Sequence, residues 1–335
     1  MARHRIEETA GREWLDIGSY ARRGPGRRDV FSAAQIDFIS RTIRRAPEVM
    51  VKMLNRGGTG LGAVGRHIKY LNRNGELELL TDEGERLQGD GVEDVLVDDW
   101  DLALEEKRRT AELKPRIIGK PPKLVHKVLF SMPPGTPPQK VLTAVKVFAR
   151  EEFGAKHRYA MVLHTDEPHP HVHMVVKAMG YDGKRLNIRR DTLRFWRQEF
   201  ARHLREQGVA ANATDRRVRG EVRPQKTDGI YRAAMRGAST HWHQRTATVA
   251  RDLNGPDFGP ESAKARLLRT RHEVLRGWRA VGDELVLQKQ MDLAQEVRRF
   301  VTQMPPPKTE KEFIKARLLE AMGKNKARND RELTR

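Results

Sequence analysis

The chain of 335 residues contains no cysteine, which excludes disulfide bridges and metal sites built from thiolates. It has no apolar run near the ~20 residues that a transmembrane helix requires, and the opening MARHRIEETAGREW lacks the apolar core of a signal peptide. We therefore expect a cytoplasmic protein without membrane insertion. Hydrophobic residues still make up 38% of the chain, which predicts a globular protein with a sizeable core.

Acidic residues are scarce relative to basic ones. The chain has 65 Lys and Arg against 45 Asp and Glu, a net charge of +20 and a pI near 10.4. The charge is uneven, because residues 76–112 alone hold 14 acidic and 4 basic side chains. An excess of this size favours a polyanionic partner, most often nucleic acid. The alternative is a protein with a plain Lys/Arg bias.

Hydrophobic spacing divides the chain into elements. Alternating or short apolar runs predict strands at 49–55, 123–132, 158–164 and 171–180, and apolar residues at helical spacing predict helices at 63–75, 139–154 and 189–208. These elements indicate an α+β fold with a central antiparallel sheet of about five strands flanked by helices. Beyond residue 220 the sequence predicts mostly helices, at roughly 227–253, 262–302 and 308–322.

Four of the 12 histidines fall inside HTDEPHPHVH, residues 164–173. His171 and His173 are two apart on a predicted strand, so their side chains project from the same face. His164 ends the preceding strand, and a hairpin brings its imidazole alongside. Three converging imidazoles form a metal site with open coordination positions. The bland interpretation of a His-x-His pair alone is two exposed histidines on a strand.

Two further residues of this stretch accompany the histidine cluster. Asp166 follows His164 by two residues and is expected to orient a ligand or act as a base. His169 lies in the turn between Pro168 and Pro170 and is expected to support the site rather than to bind the metal.

The stretch HTDEPHPHVHMVV resembles the third motif of the HUH endonucleases, in which two histidines flank a hydrophobic residue. More narrowly it is similar to conjugative relaxases of the P-type mobilization class, and within them to the subgroup of the T-DNA border-nicking endonuclease. The resemblance covers about residues 48–222. It implies the domains 1–47 (N-terminal extension), 48–222 (relaxase), 223–322 (helical region) and 323–335 (basic tail, expected to be disordered).

The resemblance extends to two upstream motifs in the order that relaxases have. The segment NRGGTGLGAVGRHIKYLNRNGELEL resembles the nucleophile motif and supplies Tyr70, one of five tyrosines. The segment HKVLFSMPPGT resembles the second motif and supplies Ser131, which in the family helps to hold DNA near the scissile phosphate. Without the family, Tyr70 on an amphipathic helix is more often a core residue, and Ser131 a serine at the end of a strand.

The resemblance implies site- and strand-specific nicking and rejoining of DNA at a transfer origin. Tyr70 is the implied nucleophile, which forms a 5′-phosphotyrosine and releases a 3′-hydroxyl. The implied cofactor is a divalent metal, Mn²⁺ or Mg²⁺, and an all-histidine site by itself favours Mn²⁺ or a similar transition metal over Mg²⁺. The expected partners are single-stranded DNA, relaxosome accessory proteins, a coupling protein and a type IV secretion system, with translocation into a recipient cell.

Basic side chains supply the expected phosphate contacts. The candidates are Arg66, Arg73, Lys156, Arg158, Arg189 and Arg190. Three other classes of protein stay open on the residues alone. A metal-dependent hydrolase would use the three histidines with water and would not need Tyr70, a DNA-binding protein would not need the histidine cluster, and a structural basic protein would need neither.

Overall fold

The computed structural model describes residue 17 and residues 30–54, 59–112, 122–221, 240–253 and 262–320. Its helices are α1 (Ala33–Ile43), α2 (Leu61–Leu71), α3 (Val92–Asp99), α4 (Leu102–Glu112), α5 (Pro138–Phe153), α6 (Arg190–Glu206), α7 (Thr240–Leu253), α8 (Ser262–Leu287) and α9 (Met291–Thr302). Residues 310–320 are also helical, within the helix predicted at 308–322. Its strands are β1 (Met50–Met53), β2 (Leu79–Thr81), β3 (Arg86–Leu87), β4 (Val125–Ser131), β5 (Tyr159–His164) and β6 (His171–Lys177). The predicted tail at 323–335 lies outside the described residues.

The chain divides into two compact units. Residues 45–213 form one of them, and residues 1–44 with 214–335 form the other as far as they are described. The predicted boundaries at 47 and 222 lie near these limits, but their meaning as functional domains stays a prediction. Helix α1 shares a core with α8 and α9, in which Phe38, Trp278 and Phe300 are buried.

The unit 45–213 is built on one six-stranded antiparallel sheet in the order β1-β4-β6-β5-β2-β3. The predicted α+β fold is confirmed, with six strands where about five were expected. The additional pairing is the β2–β3 hairpin, which lies inside the acidic segment together with α3 and α4. Leucines at 79, 80 and 87 pack against the cores on the two faces of the sheet. The composition of this segment does not indicate such packing, because charged residues dominate it.

Each face of the sheet carries its own helices. Phe130, Val172 and Met174 point to one face and are buried with residues of α5 and α6. Val162 and Val175 point to the opposite face and are buried with Val64 and Ile68 of α2 and with residues of α3 and α4. Side chains alternate along a strand, so His173, two residues before Val175, lies on the α2 side of the sheet.

Helix α2 ends at Leu71, four residues earlier than the predicted end at Gly75. The reason is a run of left-handed residues: φ is 53° at Arg73, 56° at Asn74 and 93° at Gly75. A right-handed helix cannot include such residues. The run reverses the chain, and the amide of Leu77 donates to the carbonyl of Asn72 at 2.8 Å. It also sets the position of Arg73 relative to Tyr70.

The second unit is helical in its described part, as predicted beyond residue 220. The helix expected over 262–302 is two helices, α8 and α9, separated at residues 288–290. Lys289 has φ 60°, which breaks the right-handed helix and allows α9 to fold back on α8. Among the described residues no helix combines the length and the apolar character needed to cross a membrane.

Gly75 gives a test of this turn. A Cβ at position 75 would lie 2.6 Å from the carbonyl carbon of Gly89, whereas a Cβ at Gly84, which has a similar φ of 88°, would meet nothing within 4 Å. We expect Gly84→Ala to lower the free energy of unfolding by ~1–2 kcal/mol through backbone strain. Gly75→Ala should cost a further ~1–3 kcal/mol from the backbone clash. Urea denaturation of both variants measures the difference, and equal losses would contradict the packing of this turn.

Candidate metal centre

Strand register brings the three histidines of the stretch 164–173 together. His164 is paired directly with His171 across β5 and β6, and His173 is two residues further along β6 on the same face. Directly opposed residues of antiparallel strands share a face. The ring centroids are 5.1 Å apart for His164–His171, 4.8 Å for His164–His173 and 5.2 Å for His171–His173. One ring nitrogen from each lies within 4.8 Å of the others.

Backbone carbonyls orient two of these rings. Nε2 of His164 donates to the carbonyl of Leu71 at 2.7 Å, and Nδ1 of His171 donates to the carbonyl of His169 at 2.9 Å. A carbonyl can only accept, so the proton is on that nitrogen and the other nitrogen of each ring keeps its lone pair. Nδ1 of His173 is buried and has no hydrogen-bond partner in the described structure. This arrangement fits a metal ion, since outer-shell carbonyls typically fix the tautomer of metal-binding histidines.

Burial favours the neutral form of His164 and His173. The exposed fraction is 1% for His164 and 9% for both His171 and His173. Burial, assisted by the charges of neighbouring groups, lowers the pKa of His173 to about 3, and burial likewise lowers the pKa of His164. Neutral imidazoles are the form that binds metal. Three nitrogen donors suit Mn²⁺ or another transition metal better than Mg²⁺, which prefers oxygen.

Arg73 connects the other predicted catalytic residues. Its guanidinium forms an ion pair with Asp166 and lies 3.4 Å from Nδ1 of His164. The same guanidinium carbon is 5.2 Å from the centroid of the Tyr70 ring, which is cation–π distance. Burial by itself raises the pKa of Asp166, but the hydrogen bond and charge of Arg73 outweigh it and lower that pKa. One arginine therefore contacts Tyr70, Asp166 and the histidine cluster.

Tyr70 lies on α2 with 54% of its side chain exposed. Its ring is parallel to that of His67, with an interplanar angle of 17° and centroids 6.4 Å apart. Helix α2 covers the sheet with Val64, Ile68 and Leu71, so Tyr70 lies at the rim of this contact. An exposed phenol beside the histidine cluster is accessible to a large substrate, unlike a core tyrosine.

Ser131 and His169 occupy different positions near the cluster. Ser131 is buried and pairs directly with His171, which places it on the same face of the sheet. His169 is exposed, and it is its backbone carbonyl that accepts from His171. The predicted supporting role of His169 therefore rests on the main chain rather than on the imidazole.

The predicted DNA contacts are not all near the cluster. Arg66 and Arg73 accompany Tyr70 on α2 and its following turn, and Arg66 is exposed. Lys156 and Arg158 precede β5, whereas His164 ends it, a separation of ~20 Å along the strand for Arg158. Arg158 is also engaged by Asp82, Glu83 and Asp99 and is not retained as a DNA contact. Arg189 and Arg190 are exposed at the start of α6, on the opposite face of the sheet.

A second group of metal-ligating side chains lies between α5 and α6. It consists of Glu151, Glu199 and His203. Arg202 contacts Glu151 at 2.9 Å and Glu199 at 2.7 Å, so a cation already neutralises these carboxylates. The group is an ion-pair network that joins two helices.

Residues 71–209 match the family model described as the nuclease domain of MobA/VirD2-like relaxases. This segment is a relaxase nuclease domain of the MobA/VirD2-like class. The match contains Ser131 and the histidine cluster and begins one residue after Tyr70. The predicted membership of the relaxases is confirmed.

Among curated proteins, the relaxase domain is similar to the T-DNA border endonuclease VirD2 of Agrobacterium fabrum, at 26% identity over 211 residues, covering 56% of this chain and 44% of that protein. The same-named protein of Rhizobium radiobacter is 25% identical over 195 residues, covering 52% and 43%. The chain thus spans less than half the length of these relatives.

Solved structures of the MobM relaxase domain also resemble this chain. One with Mn bound, in complex with plasmid pMV158 oriT DNA, is 17% identical, covers 56% of this chain and 99% of that one, and has a TM-score of 0.37. Another, in complex with a 22-nucleotide oriT DNA, reaches 0.38 at 16% identity, with coverage of 56% and 99%. Scores below 0.5 do not establish a shared overall fold, and the DNA and manganese belong to MobM.

Metal binding by the cluster can be measured directly. We expect His171→Ala and His173→Ala to weaken Mn²⁺ binding by more than the ~10–100-fold that loss of an outer-shell partner typically costs, as measured by isothermal titration calorimetry. His169→Ala is the matched control, because the carbonyl that accepts from His171 survives the substitution. Equal weakening in all three variants would mean that the ligand set is wrong.

The buried histidines also make stability depend on pH. Burial lowers the pKa of His67 and of His126 from 6.5 to about 4, so the unfolded chain takes up protons in this window that the folded chain does not. The stability from neutral imidazoles is complete above pH 6.5 and is lost as the pH falls toward 4. Without metal, His126→Phe should reduce this slope by up to ~1.4 kcal/mol per pH unit. Urea denaturation across pH 4–7 measures how the free energy of unfolding changes with pH. The same change in His126→Phe as in wild type would refute the prediction.

Proposed function

We propose that the protein nicks and rejoins one DNA strand at a transfer origin and so initiates conjugative DNA transfer. The observation that carries this proposal is the position of Arg73, which contacts Tyr70, Asp166 and His164 at once. A nucleophile candidate, a carboxylate and a metal ligand thus meet at one guanidinium. Membership of the relaxase nuclease class supports the same chemistry.

The proposed step is a transesterification at phosphorus. The Tyr70 oxygen attacks the scissile phosphate and loses its proton to solvent or a base, while the bond from phosphorus to the 3′-oxygen breaks and that oxygen takes up a proton. The product is a 5′-phosphotyrosine and a free 3′-hydroxyl, and attack by a 3′-hydroxyl reverses the step. The three histidines would hold a divalent ion, Mn²⁺ or Mg²⁺, which when bound supplies charge stabilisation at the phosphate oxygens.

Asp166 has a positioning role in this proposal. Because Arg73 lowers its pKa, its carboxylate is a weak base at neutral pH. Its ion pair instead holds the guanidinium between Tyr70 and His164. Arg73 is then placed to contact the phosphate that Tyr70 attacks, in keeping with the preference of arginine for phosphate. Ser131, which pairs with His171 across β4 and β6, is proposed to contact the DNA near the scissile phosphate.

The remaining roles follow from the relaxase proposal. We propose single-stranded DNA at the transfer origin as the substrate, with the basic excess of the chain supplying phosphate contacts. The residues beyond 222 would serve recognition by relaxosome accessory proteins, a coupling protein or a type IV secretion system. The protein would act in the cytoplasm and travel with the DNA into a recipient cell.

Tyr70→Phe separates the tyrosine mechanism from water-based hydrolysis. The variant should keep its fold, Mn²⁺ affinity and most single-strand affinity, because it loses only the hydroxyl. It should lose cleavage and rejoining together, along with the denaturation-resistant adduct that wild type forms on the 5′ side of the break. Gel assays on an oligonucleotide that wild type cuts, with peptide mapping of the adduct, measure both.

Tyr181→Phe is the matched control for this experiment. Tyr181 is 61% exposed, and its hydroxyl lies 3.4 Å from Asp82 rather than near the histidines. It should cut and form adduct like wild type. Full cleavage by Tyr70→Phe without adduct would favour a metal-dependent hydrolase, and an adduct on another tyrosine would keep the relaxase proposal but replace the nucleophile.

A further inference from the structure

Lys127 is a basic residue on the histidine-bearing face of the sheet. It shares the face of Leu129 and Ser131 by strand alternation, and it pairs with Val175 across β4 and β6. His173 is therefore its diagonal neighbour, at a distance of ~7–8 Å between backbones. The side chain of Lys127 is only 4% exposed.

Most of Lys127 is buried, and its ammonium has no counter-charge among the described residues. In the described ranges its ammonium has neither an ion pair nor a hydrogen bond, although those same ranges contain many carboxylates paired with arginine and lysine. Even partial burial of an ammonium without a counter-charge is costly, and burial lowers the pKa of Lys127. Such a group is retained either at a loss of stability or because a partner arrives from outside the chain.

Two imidazoles near Lys127 each have a ring nitrogen without a hydrogen-bond partner among the described residues. Nε2 of His67 and Nδ1 of His173 are buried and lack a hydrogen-bond partner in the part of the chain that the structure describes. Lys127 is close enough to His67 for its charge to lower the pKa of that ring, and His67 in turn affects His173. Three nitrogen-bearing side chains thus adjoin one another with no oxygen acceptor among them.

A cluster of N–H donors that has no hydrogen-bond acceptor within it is complementary to an oxyanion. The Tyr70 ring lies parallel to His67 on the outer side of the same helix, so the position adjoins the point where the proposed function brings a DNA phosphate. Among the residues that the structure describes, no carboxylate forms an ion pair with this ammonium. A phosphate oxygen would complete the hydrogen bonding of Lys127 and neutralise its charge at the same time.

We propose that Lys127 and His67 form a phosphate-contact site for the bound DNA strand beside the metal histidines, with Lys127 as the positioning cation. This inference rests on the proposed function, because it takes DNA as the ligand. Lys127 touches no reacting atom in this proposal. It holds one phosphate of the strand while Tyr70 and Arg73 act on the scissile one.

The test compares Lys127→Met with Lys146→Met in the full chain, with Mn²⁺ present. Lys146 is exposed on α5, on the opposite face of the sheet, and undergoes the same chemical change. The probe is a fluorescent (dT)20 oligonucleotide, whose affinity is measured as a function of salt concentration. Loss of one phosphate contact on a single strand should reduce the slope of log K against log salt by ~0.7. Lys146→Met should keep the wild-type slope.

Thermal unfolding without DNA distinguishes this site from a structural lysine. Lys127→Met should raise Tm, because it removes a partly buried charge that has no counter-charge among the described residues, while Mn²⁺ affinity stays at the wild-type value. A lower Tm together with weaker binding would identify Lys127 as structural and overturn the proposal, as would a salt slope equal to that of Lys146→Met.

The outcome is separable from the proposed function because binding of (dT)20 requires no cleavage. A chain that fails to cut any transfer-origin DNA, yet shows the reduced slope in Lys127→Met, would retain the phosphate site and lose the nicking function. Absence of (dT)20 binding by wild type at low salt would overturn both. Normal cutting with an unchanged slope would overturn the phosphate site alone.

Discussion

The pairing register of β5 with β6 is the constraint on which the site depends. A shift by one residue would turn His171 and His173 into the core formed with α5 and α6, and would bring Val172 to the α2 side. The apolar residues on both faces resist such a shift, since Val172 and Met174 fill one core while Val162 and Val175 fill the other. Core packing and the geometry of the histidine cluster are therefore fixed by the same register.

Helix α2, which carries Tyr70, is tied to this register through a second contact. The carbonyl of Leu71, the last residue of α2, accepts from His164, and the following left-handed turn returns Arg73 to the same histidine. The end of the helix thus supplies both the orientation of one ring and the cation beside it. Because Tyr70 precedes Leu71, its position relative to the cluster is set by main-chain geometry rather than by its own side-chain contacts.

The features that the sequence predicted best are those in which the two-residue alternation of side chains along a strand determines the geometry. Alternation along β6 and the prolines of the turn were sufficient to place His164, His171 and His173 on one face. The acidic segment was harder, because the strand signal of Leu79 and Leu80 is short and surrounded by charge. The end of α2 was also missed: the pair Asn74-Gly75 favours a left-handed turn, but no propensity signal predicts that Arg73 joins it.

Side chains that act through tertiary contacts were only partly foreseen. Arg73 appeared as one basic candidate among six, because its contact with Tyr70 is made by the left-handed turn after α2 and not by spacing along a helix. Lys127 was not singled out, yet its alternation with Leu129 and Ser131 places it on the histidine face. What no pattern could supply was the absence of an acidic partner, which depends on the packing of α2 over the sheet. Arg158 shows the converse, a basic residue whose three carboxylates lie far away in sequence.

The all-nitrogen character of the cluster has a consequence for its occupancy. A site of imidazole nitrogens follows the general affinity order of divalent ions, in which manganese binds more weakly than nickel, copper or zinc. Selection of manganese by affinity alone is therefore unfavourable here. If the cluster binds metal as proposed, metal availability in the cell would set which ion is present, and we expect protein eluted from a nickel resin to carry nickel there unless it is stripped and reloaded.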